Sequence, residues 1–212
     1  MEVQLLLARP AGTAPAAFAG ALQGALPPGA TLALALPDDA LPALAHVATR
    51  DSQVPDALVT LATADATATT ATAALVALAD PARSTVVAGI RHAVLPGRDA
   101  IRLFFGLRRL PALSRAAFHD YWLNRHAQIG RRLIPPYSYH QVHADAAATG
   151  RTAAATGLAQ STYDGIVEVH FPDIAALVRQ LSRAEVAVEA LEDERNFIDH
   201  FRSQFWAFAE QA

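Results

Sequence analysis

The sequence predicts an α+β fold built from two tandem ferredoxin-like (βαββαβ) repeats that pack sheet to sheet. First, 52% of the 212 residues are hydrophobic, which is enough to bury a sizeable core. Second, apolar runs of strand length and helical patterns follow each other in the same order in both halves of the chain. Third, a four-stranded sheet covered by helices on one side leaves its other face apolar, and two such sheets bury those faces against each other.

The first half begins with a strand at residues 3–8 (VQLLLA), followed by a helix that carries residues 16–18 (AAF). A strand at 56–61, a second helix at 67–80 and a last strand at 84–94 complete the repeat. We interpret this half as the β-α-β-β-α-β order of the split βαβ motif, of which these are three of the four strands.

The second half repeats this order. Its predicted elements are a strand at 101–106 (IRLFFG), a helix that begins after the N-cap Ser114, strands at 137–143 and 164–171, a helix at 174–191 and a strand near 201–209. Residues 144–162 lack an apolar period, so they are predicted to form a long loop. This loop is either a plain insertion or a mobile lid.

Composition changes sharply near residue 96. Both tryptophans, all four tyrosines and six of the eight histidines lie after it, and residues 96–99 (PGRD) form a turn-like join. The sequence therefore predicts a scaffold repeat at 1–96 and a site-bearing repeat at 97–212. One larger α+β domain with accidental repetition is the alternative.

Charge and composition exclude several classes of protein. The net charge of -3 gives no basic footprint for nucleic acid, and the absence of cysteine excludes disulfides, thiolate metal sites and a cysteine nucleophile. The N-terminus lacks the pattern of a signal peptide, and the Ala/Leu-rich stretch 16–36 is interrupted by Pro27, Pro28 and Gly29. We therefore expect a cytoplasmic protein with neither a nucleic-acid nor a membrane partner.

One predicted helix carries a histidine on its apolar side. The stripe formed by Phe118, Trp122, Ile129 and Leu133 includes His126, four residues after Trp122. A buried histidine must have its polar atoms satisfied, so His126 is either a structural core residue bonded to the backbone or a functional group.

Two predicted strands carry further polar residues. The strand 137–143 places Tyr139, Gln141 and His143 on one face. His140 lies on the opposite face. These residues are the polar part of this strand.

The strand 164–171 places Asp164, Ile166, Glu168 and His170 on one face. On an ordinary edge strand this face would be solvated. In a closed cavity, burial would raise the pKa of Glu168 and make it a usable acid or base beside a histidine.

The second half, from about residue 101 to 208, resembles the EthD domain family of dimeric α/β barrel proteins. The resemblance is carried by Phe118, Tyr121-Trp122, Arg125-His126-Ala127, Tyr139-His140-Gln141-Val142-His143, Tyr163-Asp164-Gly165, Glu168, Asp193-Glu194 and Phe197-Ile198-Asp199. It implies that two sheets meet as a barrel with a central pocket. In this family two chains usually supply the sheets, whereas here the first half supplies the second sheet as an intrachain pseudo-dimer.

Matching the two repeats places Leu26 opposite His126, Thr60 opposite Glu168 and Ala62 opposite His170. The first half therefore reads as a degenerate repeat, with one functional site per chain on the second half. The acidic residues of 193–199 have a structural interpretation as helix caps or partners of arginines.

Several kinds of chemistry lack their motifs. There is no dinucleotide or nucleotide-binding glycine loop, no nucleophile elbow and no lysine for a Schiff base. A metal site from His126, His143, Glu168 and His170 would lack a closely spaced ligand pair, so we expect no metal. Relatives of this fold include haem-binding enzymes, and His126 is the residue that could serve as an axial ligand, but no cofactor is expected.

Acid–base chemistry in an apolar pocket is what these residues favour. We expect a cofactor-independent lyase or cyclase that acts on a hydrophobic aromatic or polyketide-like carbonyl compound by dehydration, decarboxylation or ring closure. The expected catalytic residues are His126 or His143 as the base and Glu168 as its partner or as the acid.

The remaining expected site residues bind the substrate. Arg125, Tyr139 or Gln141 would polarise the enolate oxygen. Asp164, His170 and Trp122 would line the pocket.

The alternatives are a cofactor-free monooxygenase of the same fold, a non-catalytic small-molecule binding protein and an assembly scaffold. A homodimer of the fused chain is a further expectation.

Overall fold

A computed structural model describes residues 1–37, 40, 54–62 and 69–211 of the protein. Its strands are β1 (Glu2–Leu7), β2 (Ala30–Ala35), β3 (Ala57–Ala62), β4 (Thr85–Leu95), β5 (Ile101–Leu107), β6 (Ser138–Ala144), β7 (Ala159–Gln160), β8 (Gly165–Phe171) and β9 (Gln204–Glu210). Its α-helices are α1 (Pro15–Ala25), α2 (Thr69–Leu78), α3 (Arg115–Tyr121), α4 (Ala127–Leu133), α5 (Ala146–Thr156), α6 (Ile174–Leu181) and α7 (Leu191–Glu194). π-Helical turns at Trp122–His126 and Val186–Ala190 precede α4 and α7.

Eight of these strands close into an antiparallel barrel in the order β1-β3-β2-β9-β5-β8-β6-β4, and β4 pairs with β1 to complete it. Within each half the strands follow the same spatial order, β4-β1-β3-β2 in the first and β9-β5-β8-β6 in the second. The two halves join where β2 pairs with β9 and where β4 pairs with β6. The fold is therefore α+β, with a barrel that a single chain closes.

The prediction of a loop at 144–162 was wrong, because this segment contains α5 and β7. The side chain of Asp145 caps α5 by accepting a hydrogen bond from the Ala148 amide (2.9 Å), and Gly157 ends the helix at φ 75°. Thr149 accepts from and donates to the Ala88 backbone, which fixes α5 against β4. A helix of alanine and threonine shows no hydrophobic period, so periodicity could not find it.

Other boundaries follow the prediction closely. Ser114 caps α3 by accepting from the Ala117 amide (3.1 Å), as expected. The predicted helix 174–191 is interrupted after Leu181, and its second part, a π-helical turn followed by α7, continues to Glu194. Residues 67 and 68 of the predicted helix 67–80 lie outside the described residues.

Helices cover the outside of the barrel. Over the first half, Phe18, Leu22 and Leu75 pack tightly with the sheet and with α5. The covering of the second half is less complete and leaves a cavity. Among the described residues, no helix is both long and apolar enough to cross a membrane.

Candidate active site

Strand alternation separates the predicted site residues onto two faces of the sheet. On β6, Tyr139 and His143 point outward to the helices, whereas on β8 Glu168 and His170 point into the barrel. His126 also lies on the helical side. The structure therefore does not bring Glu168 together with His126 or His143.

The cavity between the helices and the outer face of the sheet, named here the helix–sheet cavity, has a volume of about 150 Å³. Its walls are mostly aliphatic and aromatic, with contributions from Leu103, Phe105, Val169, Phe171 and Phe205. The polar side chains at its boundary are His126, Tyr139, Gln180, Glu194 and His200. It is thus an apolar pocket with a few polar groups at its edge, the usual character of a small-molecule site.

His126 is held by a carboxylate from a distant helix. Its Nδ1 donates to Oδ2 of Asp193 (2.7 Å), and the Tyr121 hydroxyl donates to the other oxygen, Oδ1 (2.8 Å). Because the carboxylate only accepts, Nδ1 carries a proton, and in the neutral tautomer Nε2 then presents a lone pair. Nε2 has no partner among the described residues, and the residue is 8% exposed at the cavity wall.

The π-helical turn Trp122–His126 sits between α3 and α4, so one extra residue interrupts the α-helical spacing at this point. Trp122 remains buried under the sheet while His126 reaches the cavity. Such insertions are frequent at functional sites.

Tyr139 supplies a second polar group to the same cavity. Its hydroxyl accepts from Nε1 of Trp122 (3.1 Å) and from Nε2 of Gln141 (2.7 Å). Gln141 also donates to the Trp122 carbonyl (3.1 Å), which fixes the orientation of its amide. Both neighbours of the phenol are therefore donors only, and its proton has no acceptor among the described residues. Burial raises the pKa of Tyr139, so this group stays a hydrogen-bond donor.

A second histidine–carboxylate pair borders the cavity. Nε2 of His200 and Oε2 of Glu194 are 2.8 Å apart, and the His200 ring lies 6.3 Å from that of Phe105. Sequence reasoning missed this pair.

His143 lies outside the cavity in a stack of rings. It is parallel to Trp122 at 4.8 Å and contacts His119 at 4.4 Å and His92 at 4.5 Å. Its Nε2 donates to Oε1 of Gln141 (3.0 Å). Burial, together with the two neighbouring imidazoles, lowers the pKa of His143 to about 3. His143 is therefore a weak base in a packed position.

Glu168 belongs to an ion network inside the barrel. Its Oε1 accepts from Arg102 (3.0 Å) and from Nε2 of Gln4 (2.8 Å), and Gln4 also donates to Glu2 (2.7 Å). Arg91 lies 3.4 Å from Oε2 of Glu168. Two carboxylates, one from each half of the chain, thus accept hydrogen bonds from the same side-chain amide. The first half therefore contributes polar groups to the interior of the barrel, which was not expected of a scaffold repeat.

The two carboxylates of this network titrate differently. Burial, with help from the charge of Glu168, raises the pKa of Glu2 to about 7. Burial also opposes ionisation of Glu168, but Arg102 and Arg91 outweigh it and lower the pKa of Glu168 below its ordinary value. The predicted rise in the pKa of Glu168 is therefore wrong, because the arginines were not foreseen.

His170 is buried beside this network, and burial together with Arg102 lowers its pKa to about 4. It lines a cavity of about 120 Å³ at this end of the barrel with Glu168, Thr60 and Ala62. The repeat matching that pairs Thr60 with Glu168 and Ala62 with His170 is thus consistent with the fold, since all four face the interior.

Three further predicted residues do not reach the helix–sheet cavity. Arg125 is exposed and lies over the Tyr121 ring at 5.4 Å. Asp164 binds Arg115 (3.0 Å) and the Arg109 amide (3.1 Å) at the start of β8. Trp122 is buried in the stack with His143, so it supports Tyr139 and does not border the cavity.

Asp193 and Glu194 are the functional candidates that sequence reasoning interpreted otherwise. They were assigned as caps or arginine partners, but each binds a histidine at the cavity. The signal that pointed to them was their place among the residues that carry the family resemblance.

Known structures share this architecture. A candidate monooxygenase from Lactobacillus acidophilus NCFM superposes with a TM-score of 0.52 at 8% identity, over 99% of this chain and 92% of that one. A candidate chlorite dismutase superposes with a TM-score of 0.53 at 11% identity, over 100% of this chain and 94% of that one. At such identities the likeness concerns the fold alone.

The comparison with protein families is more specific than the comparison of folds. Residues 110–200 match the family model of the EthD domain, the family that the motifs of the second half resemble. No protein of curated function matches the sequence.

Proposed function

We propose that this protein is a cofactor-independent acid–base enzyme in which His126 acts as the general base in the helix–sheet cavity. The observation that carries the proposal is the joint presence, at one apolar pocket, of an imidazole oriented by Asp193 and a phenol with an uncommitted proton. The EthD domain and the shared barrel fold support a small-molecule enzyme.

The volume of the cavity limits the size of the substrate group that can bind in it. A volume of about 150 Å³ accommodates a single aromatic ring or a short chain. We infer a substrate that places one ring or a short β-hydroxy or β-keto carbonyl group there. A haem, which is several times larger than one ring, does not fit this space, so His126 is not assigned as an axial ligand.

The proposed reaction is a dehydration. Nε2 of His126 removes a proton from the carbon next to the carbonyl, and Asp193 stabilises the resulting imidazolium. The Tyr139 hydroxyl donates to the oxygen of the enolate. The enolate then forms the carbon–carbon double bond as the β carbon–oxygen bond breaks, and the imidazolium returns its proton to the departing hydroxyl, which leaves as water.

A cofactor-free monooxygenase is the second candidate, and the likeness to a candidate monooxygenase favours it. The same proton abstraction by His126 would produce a carbanion that dioxygen attacks. Oxygen dependence separates the two reactions. A non-catalytic binding protein is the third candidate.

We also infer that the chain is a fused pair of ferredoxin-like repeats, with residues 1–96 as scaffold and 97–212 bearing the helix–sheet site. The identical strand order of the two halves supports this. In the first half Phe18, Leu22 and Leu75 fill the corresponding space between helices and sheet, which supports one such site per chain.

The test is turnover of single-ring β-hydroxy and β-keto carbonyl compounds with and without oxygen, followed by mass spectrometry. Loss of water or carbon dioxide without oxygen supports the lyase, whereas oxygen gained only in air supports the monooxygenase. Binding without any change of mass throughout the set contradicts the enzymatic proposal for these compounds.

The role of His126 is tested by comparing His126→Gln with His143→Gln. Both histidines are 8% exposed, but only His126 borders the cavity. We expect His126→Gln to lower kcat by about two to four orders of magnitude, the usual contribution of a general base. A larger loss in His143→Gln than in His126→Gln would refute the assignment.

A further inference from the structure

The two ends of the barrel differ in charge. At one end Arg91, Arg98 and Arg102 are balanced by the carboxylates Glu2, Glu168 and Glu210. At the other end a cavity of about 680 Å³ is bordered by Arg83, Arg108 and Arg202, and its described lining residues include no aspartate or glutamate. This second end is named here the arginine mouth.

Hydrogen-bonding side chains surround the arginine mouth. They are Thr85, Gln160, Ser161, Thr162, Tyr163 and Gln204. Hydroxyl and amide groups beside arginines are the donors that proteins use for phosphate and carboxylate groups.

Arg108 is the one of these three arginines whose side chain has no partner among the described residues. Its Nε is buried and makes no hydrogen bond, and its guanidinium forms no ion pair with any described residue. Arg202, by contrast, donates to Asp199 (2.7 Å), and Arg83 reaches the carbonyl of Arg9 at 3.4 Å. A partly buried guanidinium without an acceptor is costly unless an anion completes it.

We propose that the arginine mouth binds the anionic group of a small molecule, a phosphate or a carboxylate, with Arg108 as its principal contact. Arg83 and the hydroxyl groups of Ser161 and Thr162 provide further donors around the anion. This site lies at the end of the barrel and is separate from the helix–sheet cavity, since none of its lining residues borders that cavity. It does not depend on the function proposed above.

The experiment measures binding of pyrophosphate and of benzene-1,2-dicarboxylate to the full chain by calorimetry at low salt. We expect at least one anion to bind, with an affinity that falls as salt is added. Preference for one anion distinguishes a phosphate ligand from a carboxylate ligand. Arg108→Gln should weaken binding about tenfold or more, and Arg108→Lys should weaken it less because the charge remains.

Arg179→Gln is the matched control, because Arg179 is exposed on α6 and borders neither cavity. It carries the same change of charge and should leave the affinity within about twofold. Circular dichroism of each variant verifies its fold. Absence of binding of both anions to the unmodified chain, or equal losses in Arg108→Gln and Arg179→Gln, would overturn the proposal.

Discussion

At the scale of the residue, the helix–sheet cavity depends on which atoms have spare hydrogen-bonding capacity. Nδ1 of His126 donates a hydrogen bond to Asp193, so Nε2 of the neutral ring is the atom left as an acceptor. The Tyr139 oxygen accepts hydrogen bonds from Trp122 and Gln141, so its own hydrogen is left to donate. One acceptor and one donor at a single apolar pocket are what proton abstraction next to a carbonyl requires.

Tyr139→Phe removes that donor. We expect kcat on a substrate of the proposed class to fall by about tenfold or more with little change in KM, because the enolate oxygen loses its hydrogen bond. The substitution also leaves two buried donors unpaired, which should lower the free energy of unfolding by roughly 1–3 kcal/mol in urea.

Tyr137→Phe is the control for this prediction. Tyr137 packs against Phe171 at 4.6 Å, and its hydroxyl makes no hydrogen bond to a described residue. Its variant should keep both kcat and stability. Unchanged kcat in Tyr139→Phe would remove the phenol from the mechanism.

At the scale of the element, α5 shows how a helix forms without an amphipathic pattern. Its capping residue Asp145, its glycine terminator Gly157 and the high helix propensity of alanine define it locally. Small side chains such as Ala148 then let it pack against the first-half core.

Asp145→Ala removes the N-cap of α5. The Ala148 amide loses its acceptor, so the free energy of unfolding should fall by about 1 kcal/mol. Thermal or urea denaturation measures the change, and Arg151→Ala, an exposed substitution inside the same helix, should stay within about 0.5 kcal/mol of the unmodified chain. Equal effects of the two substitutions would contradict a specific capping role.

At the scale of the whole molecule, the barrel joins two halves through strand pairing and through buried charge. The β2–β9 and β4–β6 pairings provide the backbone connection. Gln4 bridges Glu2 of the first half and Glu168 of the second. The interior of the barrel is thus a shared structure to which both halves contribute.

Glu2 makes stability depend on pH. Because the pKa of Glu2 is raised from 4.5 to about 7, the folded chain binds more protons than the unfolded chain between those values, and its stability falls as pH rises through that window. Glu168 and Arg102 keep their charges there, because their contact lowers the pKa of Glu168 and raises that of Arg102. Glu2→Gln should abolish this loss.

The difference in the free energy of unfolding between Glu2→Gln and the unmodified chain should therefore shift by roughly 1–3 kcal/mol in favour of the variant from pH 5 to pH 8. Urea unfolding at a series of pH values measures it. Glu192→Gln, an exposed substitution, should show no such shift. A difference between Glu2→Gln and the unmodified chain that is constant with pH would show that Glu2 is ionised throughout.

The sequence by itself determined the local and periodic features. The alternation on β6 and β8 and the cap at Ser114 depend on neighbours a few residues apart. The EthD motifs depend on the order of residues along the chain, which the sequence gives directly. Only the tertiary structure decided which faces became cavities and which groups paired. His126 meets Asp193 across 67 residues and Gln4 meets Glu168 across 164, and such contacts arise from packing of the whole chain, which no local spacing encodes.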